Sequence, residues 1–261
     1  MQKKRLLIDF LKKNGKAILL YSGGFDSSAI LGAAVEANVE IEPIWLDNGF
    51  NRATKEIIEK QARNMGCKKV KTIKLNPGKK VLKNSVERCF FCKNELIKKV
   101  KEYKDAPLFD GSNLSDSSSY RPGLKAIKKE GVISPLARLN ISATEAAEMA
   151  IKMGADPYLA NLEGCMATRF NYDLGIDKQK IELLRELELS IIKETQDYKI
   201  RCRIDDHNHL RIEPGNDNTL ELLCKQPLKD EIINKGKKIA VFVTLDLEGT
   251  RKNMFDQIRN L

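Results

Sequence analysis

The chain predicts an α/β fold: a parallel sheet with helices on both faces, followed by a small α+β domain. Three observations lead there. Short apolar segments alternate with amphipathic helical stretches over most of the chain, the first of them breaks into paired glycines, and the alternation stops near Asp177. A strand shielded by helices above and below reads as an unbroken apolar run, as residues 17–20 do.

The elements follow in order. Helical periodicity over 2–13 ends at Gly15, and a strand covers 16–21. After the glycine-rich loop a helix of small residues runs from about Ala29 to Ala37. A second strand, 41–46, ends in Asp47-Asn48-Gly49 and leads to a helix over 52–65, and a third strand covers 69–75. One continuous helix is expected over 81–103, a fourth strand over 107–109, a helix over 120–129, a short fifth strand over 132–134 and a helix over 144–153, with a Gly- and Pro-bearing stretch at 154–164. Sheets of this kind bind ligands at their carboxyl edge. From Asp177 a charged helix runs to about Leu189, extended segments follow at 198–204 and 209–212, and a helix over 228–235 and a strand over 238–245 complete the pattern. The first domain is therefore placed at 1–176 and the second, for substrate binding or oligomerisation, at 177–261. Neither an internal repeat nor a low-complexity tract is present.

At 261 residues the chain can bury a sizeable core. Its longest apolar run, 239–245 with Thr244 inside it, has a strand's length and falls far short of a bilayer span, so no membrane partner is expected. The basic start Met1-Gln2-Lys3-Lys4-Arg5 leads into alternating apolar and charged residues instead of a signal-peptide core, which points to the cytoplasm. A formal charge of +10 suits nucleic acid, and equally suits small phosphorylated or carboxylated substrates. Distribution decides between them. Lys55, Lys60, Lys98 and Lys128 sit on amphipathic helices with glutamates interleaved, and no arginine-rich arm appears, so nucleic acid is not the expected partner.

The stretch Tyr21-Ser22-Gly23-Gly24-Phe25-Asp26-Ser27-Ser28 carries the chemistry. A buried strand that breaks into glycines before a helix brings unpaired N–H groups and the helix dipole to one place, where a phosphate can sit. Gly23 and Gly24 admit positive φ and close approach, and Ser22, Ser27 and Ser28 can donate hydroxyl hydrogen bonds. No lysine follows Gly24, so this is not the loop that places a lysine on the outer phosphates. Asp26 would repel phosphates unless it held a cation or capped an amide, and Mg²⁺ is the natural bridge. The string resembles the SGGxDSS signature of the PP-loop ATP pyrophosphatases, which cleave ATP between the α- and β-phosphates to adenylate a substrate. An ordinary glycine-rich turn with an Asp cap is the plainer alternative. After the fourth strand, Asp110, Asn113 and Asp116 form a polar loop suited to nucleotide or Mg²⁺, although an Asx-rich turn would look similar.

Six cysteines in a cytoplasmic chain direct attention to thiol or metal chemistry. Cys89 and Cys92, in Arg88-Cys89-Phe90-Phe91-Cys92-Lys93, could be a redox dithiol, half a zinc site or part of an iron–sulfur site. Cys165, in a Gly-flanked loop, is the candidate third ligand: three thiolates can hold a [4Fe–4S] cluster and leave one iron open to sulfide. His207 and His209 read as surface histidines. Cys67, Cys202 and Cys224 read as small hydrophobes.

Together the loop, residues 88–93, Asp110-Gly111-Ser112-Asn113-Leu114-Ser115-Asp116, Tyr120-Arg121-Pro122-Gly123-Leu124, Ser134-Pro135-Leu136, 165–169, Arg201-Cys202-Arg203 and Leu245-Asp246-Leu247-Glu248-Gly249 resemble the LarE family of PP-loop sulfur transferases. That family acts on a pyridinium mononucleotide precursor of the nickel-pincer cofactor. The resemblance implies a Rossmann-like PP-loop domain, ATP and Mg²⁺, a sulfide or other sulfur donor, and a homo-oligomer. One variant of the family sacrifices the sulfur of a single cysteine at the Cys165 position; the other also carries the C-x-x-C, and this chain resembles the second, with Cys89, Cys92 and Cys165 as ligands of a [4Fe–4S] cluster. Two departures stand out: Asn161-Leu162-Glu163-Gly164 replaces a Lys-Pro-Ser/Ala-type run, and Thr250 replaces a usual tyrosine.

ATP is expected on residues 22–28 with adenine near Trp45 and Asp47. A substrate carboxylate would be adenylated there and the adenylate displaced by sulfur. Arg169, Arg201 and Arg203 are suited to a substrate phosphate, with surface ion pairing as their alternative. Glu188 is either a cation or general-base carboxylate or a solvated helix residue. Two other functions compete: a tRNA thiolase of the same superfamily, which needs a basic surface continuous with the loop, and a noncatalytic regulator binding ATP and a metal.

Overall fold

The computed structural model describes residues 2–118 and 121–251. They divide into two compact units, Met1–Pro77 with Cys89–Gly164 and Gly78–Arg88 with Cys165–Leu261. Residues 78–88 therefore go with the second unit. Tyr120, at the head of one motif and of an expected helix, lies outside the described residues, as does Met1.

In the first unit, α1 (Gln2–Asn14), β1 (Ala17–Leu20), α2 (Phe25–Glu36), β2 (Ile41–Asp47), α3 (Lys55–Asn64) and β3 (Lys71–Lys74) follow the expected rhythm. Helix α2 begins four residues earlier than its apolar pattern suggests. Gly24 caps it in an extended conformation, so Phe25, Asp26 and Ser27 open its first turn, where the amides have no partner inside the helix, and the Ser28 amide makes the first helical bond, to the Gly24 carbonyl at 3.0 Å. The helix is built from small residues because it is approached closely: a methyl group at Gly32 would fall 2.7 Å from Met65 Cε and 2.9 Å from Met153 Cβ.

A single helix over 81–103 is not what forms. There are two, α4 (Lys79–Leu82) and α5 (Arg88–Tyr103), because Asn84 turns into the left-handed region at φ +59°. Its buried side-chain amide donates to the carbonyls of Asn171 (2.7 Å) and Leu174 (3.1 Å) and its carbonyl accepts from Arg88, which offsets the cost of a non-glycine residue there.

Strand β4 (Leu108–Phe109) completes a four-stranded, all-parallel sheet of order β3-β2-β1-β4, with Ala17 opposite Ile41, Ile44 opposite Lys71 and Ile18 opposite Leu108. The expected fifth strand shrinks to one bridge, Phe109 to Ile133, because the chain turns at once into a helix at Pro135. The helices α6 (Pro122–Lys129), α7 (Pro135–Arg138), α8 (Ala143–Lys152) and α9 (Pro157–Asn161) finish the unit. Ile18, Leu20, Ile44 and Ile73 of the sheet, Leu108 of β4, and Ile97, Val100 and Ile127 of the covering helices form one buried cluster.

The second unit contains α10 (Lys178–Thr195), β5 (Arg201–Ile204), β6 (His209–Glu213), α11 (Asp217–Leu223), α12 (Leu228–Gly236) and β7 (Phe242–Leu245). Its sheet runs β5-β6-β7, antiparallel then parallel. Helix α11 escapes the apolar pattern, yet Asn216 announces it by accepting from the Thr219 amide at 2.9 Å. The strand expected over 238–245 begins only at Phe242; Ile239 and Ala240 are buried in the turn before it.

Ile44 is fully buried at the centre of the parallel sheet. Ile44→Ala should therefore cost about 2–5 kcal/mol, read as a lower urea midpoint at unchanged slope. A loss under about 1 kcal/mol would place the core elsewhere.

Candidate functional site

Strand order reverses between β1 and β4, and at such a switch point the loops leaving the carboxyl ends diverge and open a crevice. Both predicted loops arise there. Residues 21–28 leave β1 and residues 110–116 leave β4, and they meet where Asn113 Nδ2 donates to Asp26 Oδ2 at 3.0 Å. Gly111 lets them close: a methyl group on it would lie 3.1 Å from the Ser27 amide nitrogen.

Within the first loop Gly23 holds φ +80°. Its hydroxyls tie the turn to itself: Ser22 Oγ lies 3.1 Å from Ser27 Oγ, Ser27 Oγ donates to the Gly24 carbonyl (3.3 Å), and Ser28 Oγ donates to that of Gly23 (3.4 Å). Tyr21 Oη sits 3.3 Å from Ser28 Oγ, and burial pushes its phenol well above the usual range. Ser27 and Ser28 are buried and shape the loop, whereas Ser22 is half-buried beside it.

Asp26 lies in the first turn of α2. Loss of solvent pushes its carboxyl up to about 7, against the lowering hydrogen bond from Asn113, and nearby Glu163 and Asp116 add to the rise while Arg121 opposes it. A carboxylate in this surround lacks counter-charge, which a divalent cation would provide. In the second loop Asp110 accepts from Ser134 Oγ (2.6 Å) and Ser112 Oγ (2.7 Å), with Lys93 Nζ at 4.0 Å. Asp116 accepts from the Asn113 amide at 3.1 Å and pairs with Arg121 at 2.7 Å. The loop is thus an Asx-type turn that also aims Asn113 at Asp26. At the end of β2, Asp47 accepts from the Gly49 amide at 3.2 Å, and Trp45 is buried in the sheet.

Cys89 and Cys92 stand on the first turns of α5, three residues apart and so on one face, both half-buried. Cys92 Sγ accepts from Asn48 Nδ2 at 3.3 Å, and Asn48 is held in turn by the Phe50 amide donating to its Oδ1 at 3.0 Å. Another residue with no sequence signal is Arg52, 1% exposed, which donates to the carbonyls of Asn161 (2.8 Å), Leu162 (3.2 Å) and Glu163 (3.2 Å) and whose amide reaches that of Gly164 (2.9 Å).

In the second unit Cys165 is exposed and caps a 3₁₀ turn, Met166–Arg169. Glu188 is not a solvated helix residue: it is fully buried, takes Arg169 Nε at 2.5 Å and Nη2 at 2.8 Å, and accepts from the Cys202 amide at 2.9 Å. Arg203 is likewise no surface residue, with Nε 3.0 Å from both Glu213 oxygens and Nη1 on the Thr168 carbonyl at 2.7 Å. Arg201 is half-buried and donates to the carbonyls of Tyr198 and Ile200. Of the three cysteines read as small hydrophobes, Cys202 is buried, Cys67 half-buried and Cys224 exposed. His207 is exposed and joins Asp205 and Asp206 in the hairpin turn, their ligand-type atoms within 4.8 Å of one another.

A cavity of about 400 Å³ in the first unit is lined by Lys55, Arg63, Lys68, Lys69 and Lys71 around Glu59. Among the described residues no helix is long and apolar enough to cross a membrane.

A four-stranded, all-parallel sheet flanked by helices is the arrangement of a Rossmann-like PP-loop fold. No family model matches the chain. It is 30% identical over 238 residues, 86% of each chain, to an uncharacterized protein of Methanocaldococcus jannaschii, and it belongs to that protein's family. An uncharacterized protein of Synechocystis is 27% identical over 266 residues, covering 97% of this chain and 96% of that one. A more distant relative, 23% identical over 263 residues and covering 95% and 92%, is the pyridinium-3,5-bisthiocarboxylic acid mononucleotide synthase of Lactiplantibacillus plantarum.

Two measurements check this description. Because the folded Asp26 carboxyl sits above its unfolded value, its protonated form favours folding: in chelator the stability it contributes is complete below about pH 4 and is lost as pH rises through about 7. Asp26→Asn should flatten that fall in urea titrations, and added Mg²⁺ should reverse it for the parent protein only. Glu188→Ala should cost about 3–5 kcal/mol, since it strands the buried Arg169 charge; an unchanged urea midpoint would refute the pair's structural weight.

Proposed function

We propose that this chain is an ATP-dependent sulfur transferase that adenylates a substrate carboxylate and exchanges the adenylate for sulfur. The hydrogen bond from Asn113 to Asp26 across the switch point carries the reading, because it sets a carboxylate short of counter-charge beside the open amides of α2. Those amides and the Ser22 hydroxyl would take the outer phosphates of ATP. As the substrate oxygen bonds to the α-phosphorus, the bond to pyrophosphate breaks, and the amides already face the charge that collects on the leaving group. Sulfide then forms a C–S bond as the C–O bond to AMP breaks, leaving a thiocarboxylate.

The carboxylates of Asp26 and Asp116 are the kind of oxygen donor that Mg²⁺ takes, with Asn113 orienting the first through its Nδ2, and the cation would screen the phosphates. The thiols of Cys89 and Cys92, one helical turn apart with an N–H aimed at one sulfur, fit two ligands of a [4Fe–4S] cluster, and on the pattern of the resembled family the exposed Cys165 would be the third. When bound, that cluster would present sulfide on its remaining iron. Asn48 steadies the Cys92 sulfur, and Arg52 fixes the main chain just before Cys165. Of the three arginines, the half-buried Arg201 would meet a substrate phosphate, while Arg169 and Arg203, buried in their pairs with Glu188 and Glu213, would position the chain around it. The distant synthase's name gives its product as a bisthiocarboxylate of a pyridinium mononucleotide, and we assign this chain a substrate of the same class.

Protein purified without oxygen should carry iron and acid-labile sulfide. With a carboxylated acceptor it should convert α-labelled ATP to AMP and pyrophosphate, and Asp26→Ala should slow this about 10²-fold or more. Failure to form AMP under any condition would overturn the reading, and metal-free protein whose own Cys165 loses sulfur would set aside the cluster alone.

A further inference from the structure

Glu163 stands two residues before Cys165, in the run that departs from the resembled family, and its carboxylate lies in the first loop. A methyl group at Gly24 would fall 2.5 Å from Glu163 Oε2 and 2.9 Å from its Cδ, so the carboxylate rests against the glycine whose bare backbone shapes the cradle. The side chain is otherwise exposed to solvent, and Ser22, Lys93, Arg121 and Arg52 lie near enough to favour its charged form. A hydroxyl, cations and a bare main chain are the partners an incoming phosphate would seek. Arg52 meanwhile grips the carbonyls of residues 161–163, so the main chain beneath Glu163 is fixed while its side chain keeps three rotatable bonds.

From this geometry we infer that Glu163 is an internal anion, which occupies the phosphate cradle in the ligand-free protein and must swing out before a nucleotide is seated. The inference rests on the nucleotide reading above and adds a residue that sets affinity. Asp26, close enough to be opposed by the Glu163 charge, makes the seated state self-repulsive and leaves the side chain ready to depart. A site blocked by its own chain binds more weakly by the fraction of time it is open, so a carboxylate seated nine-tenths of the time lowers apparent affinity about tenfold.

Titration calorimetry with inorganic pyrophosphate in chelator, and with the α,β-methylene analogue of ATP in Mg²⁺, tests this on the full chain. E163Q, which keeps the shape and removes the charge, and E163A should each bind pyrophosphate about tenfold more tightly than the parent. A thermal melt matching the parent shows that each is folded, and E163Q alone suffices if E163A is not. Unchanged or weaker pyrophosphate binding would overturn the inference while leaving the nucleotide reading intact, provided the parent binds the analogue. Weaker binding of the analogue confined to Mg²⁺ would overturn it too, making Glu163 a cation ligand. A parent that binds neither probe would sink both.

Discussion

Bare main chain at the switch point is the constraint on which the rest of the first unit depends. Two loops touch where the strand order reverses, with Gly111 of one lying on the Ser27 amide of the other, and Gly24 of that other loop also receives the Glu163 carboxylate. The fully buried strand β1 delivers one loop, the short β4 delivers the other, and the Asn113–Asp26 hydrogen bond joins them. Once they are joined, the first turn of α2 lies at the carboxyl edge of the parallel sheet.

The second unit is held by another principle. Its interior contains Arg169 with Glu188, Arg203 with Glu213, and Asn84 with the carbonyls of 170–174. Removing such groups from water costs several kcal/mol per ion, and the return depends on complete hydrogen bonding. Here the bonding is dense: each arginine uses donors on both a carboxylate and Thr168, and Glu188 also takes a main-chain amide. Networks of this kind fix geometry more than they add stability, and here they hold the main chain of the turn that follows the exposed Cys165.

The sheet, its order of elements and the loop were legible because each left a local trace: apolar runs for strands, a 3.6-residue period for helices, paired glycines for the cradle. The early start of α2 was not, since Phe25 to Ser28 read as loop until Gly24 is seen to cap them. Nor was the break at Asn84, whose left-handed backbone is stabilised by carbonyls some ninety residues away in sequence. Glu188 carried no sign of burial because its partner, Arg169, lies outside its helix, and the charged neighbours on α10 masked its inward face. Asn48, Arg52 and Glu163 escaped for the same reason. An asparagine after a strand, an arginine before a helix and a glutamate in a loop are ordinary alone, and only long-range contact gives them meaning.

Residues 78–88 have a consequence for how the protein can be taken apart. The chain passes between its units three times, so neither unit is one continuous stretch of sequence. A fragment beginning at Cys165 would lack Asn84, leaving the carbonyls of Phe170, Asn171 and Leu174 without their shared donor. Expressing the C-terminal part by itself therefore means grafting an eleven-residue peptide back onto it, or reordering the gene so that this peptide leads.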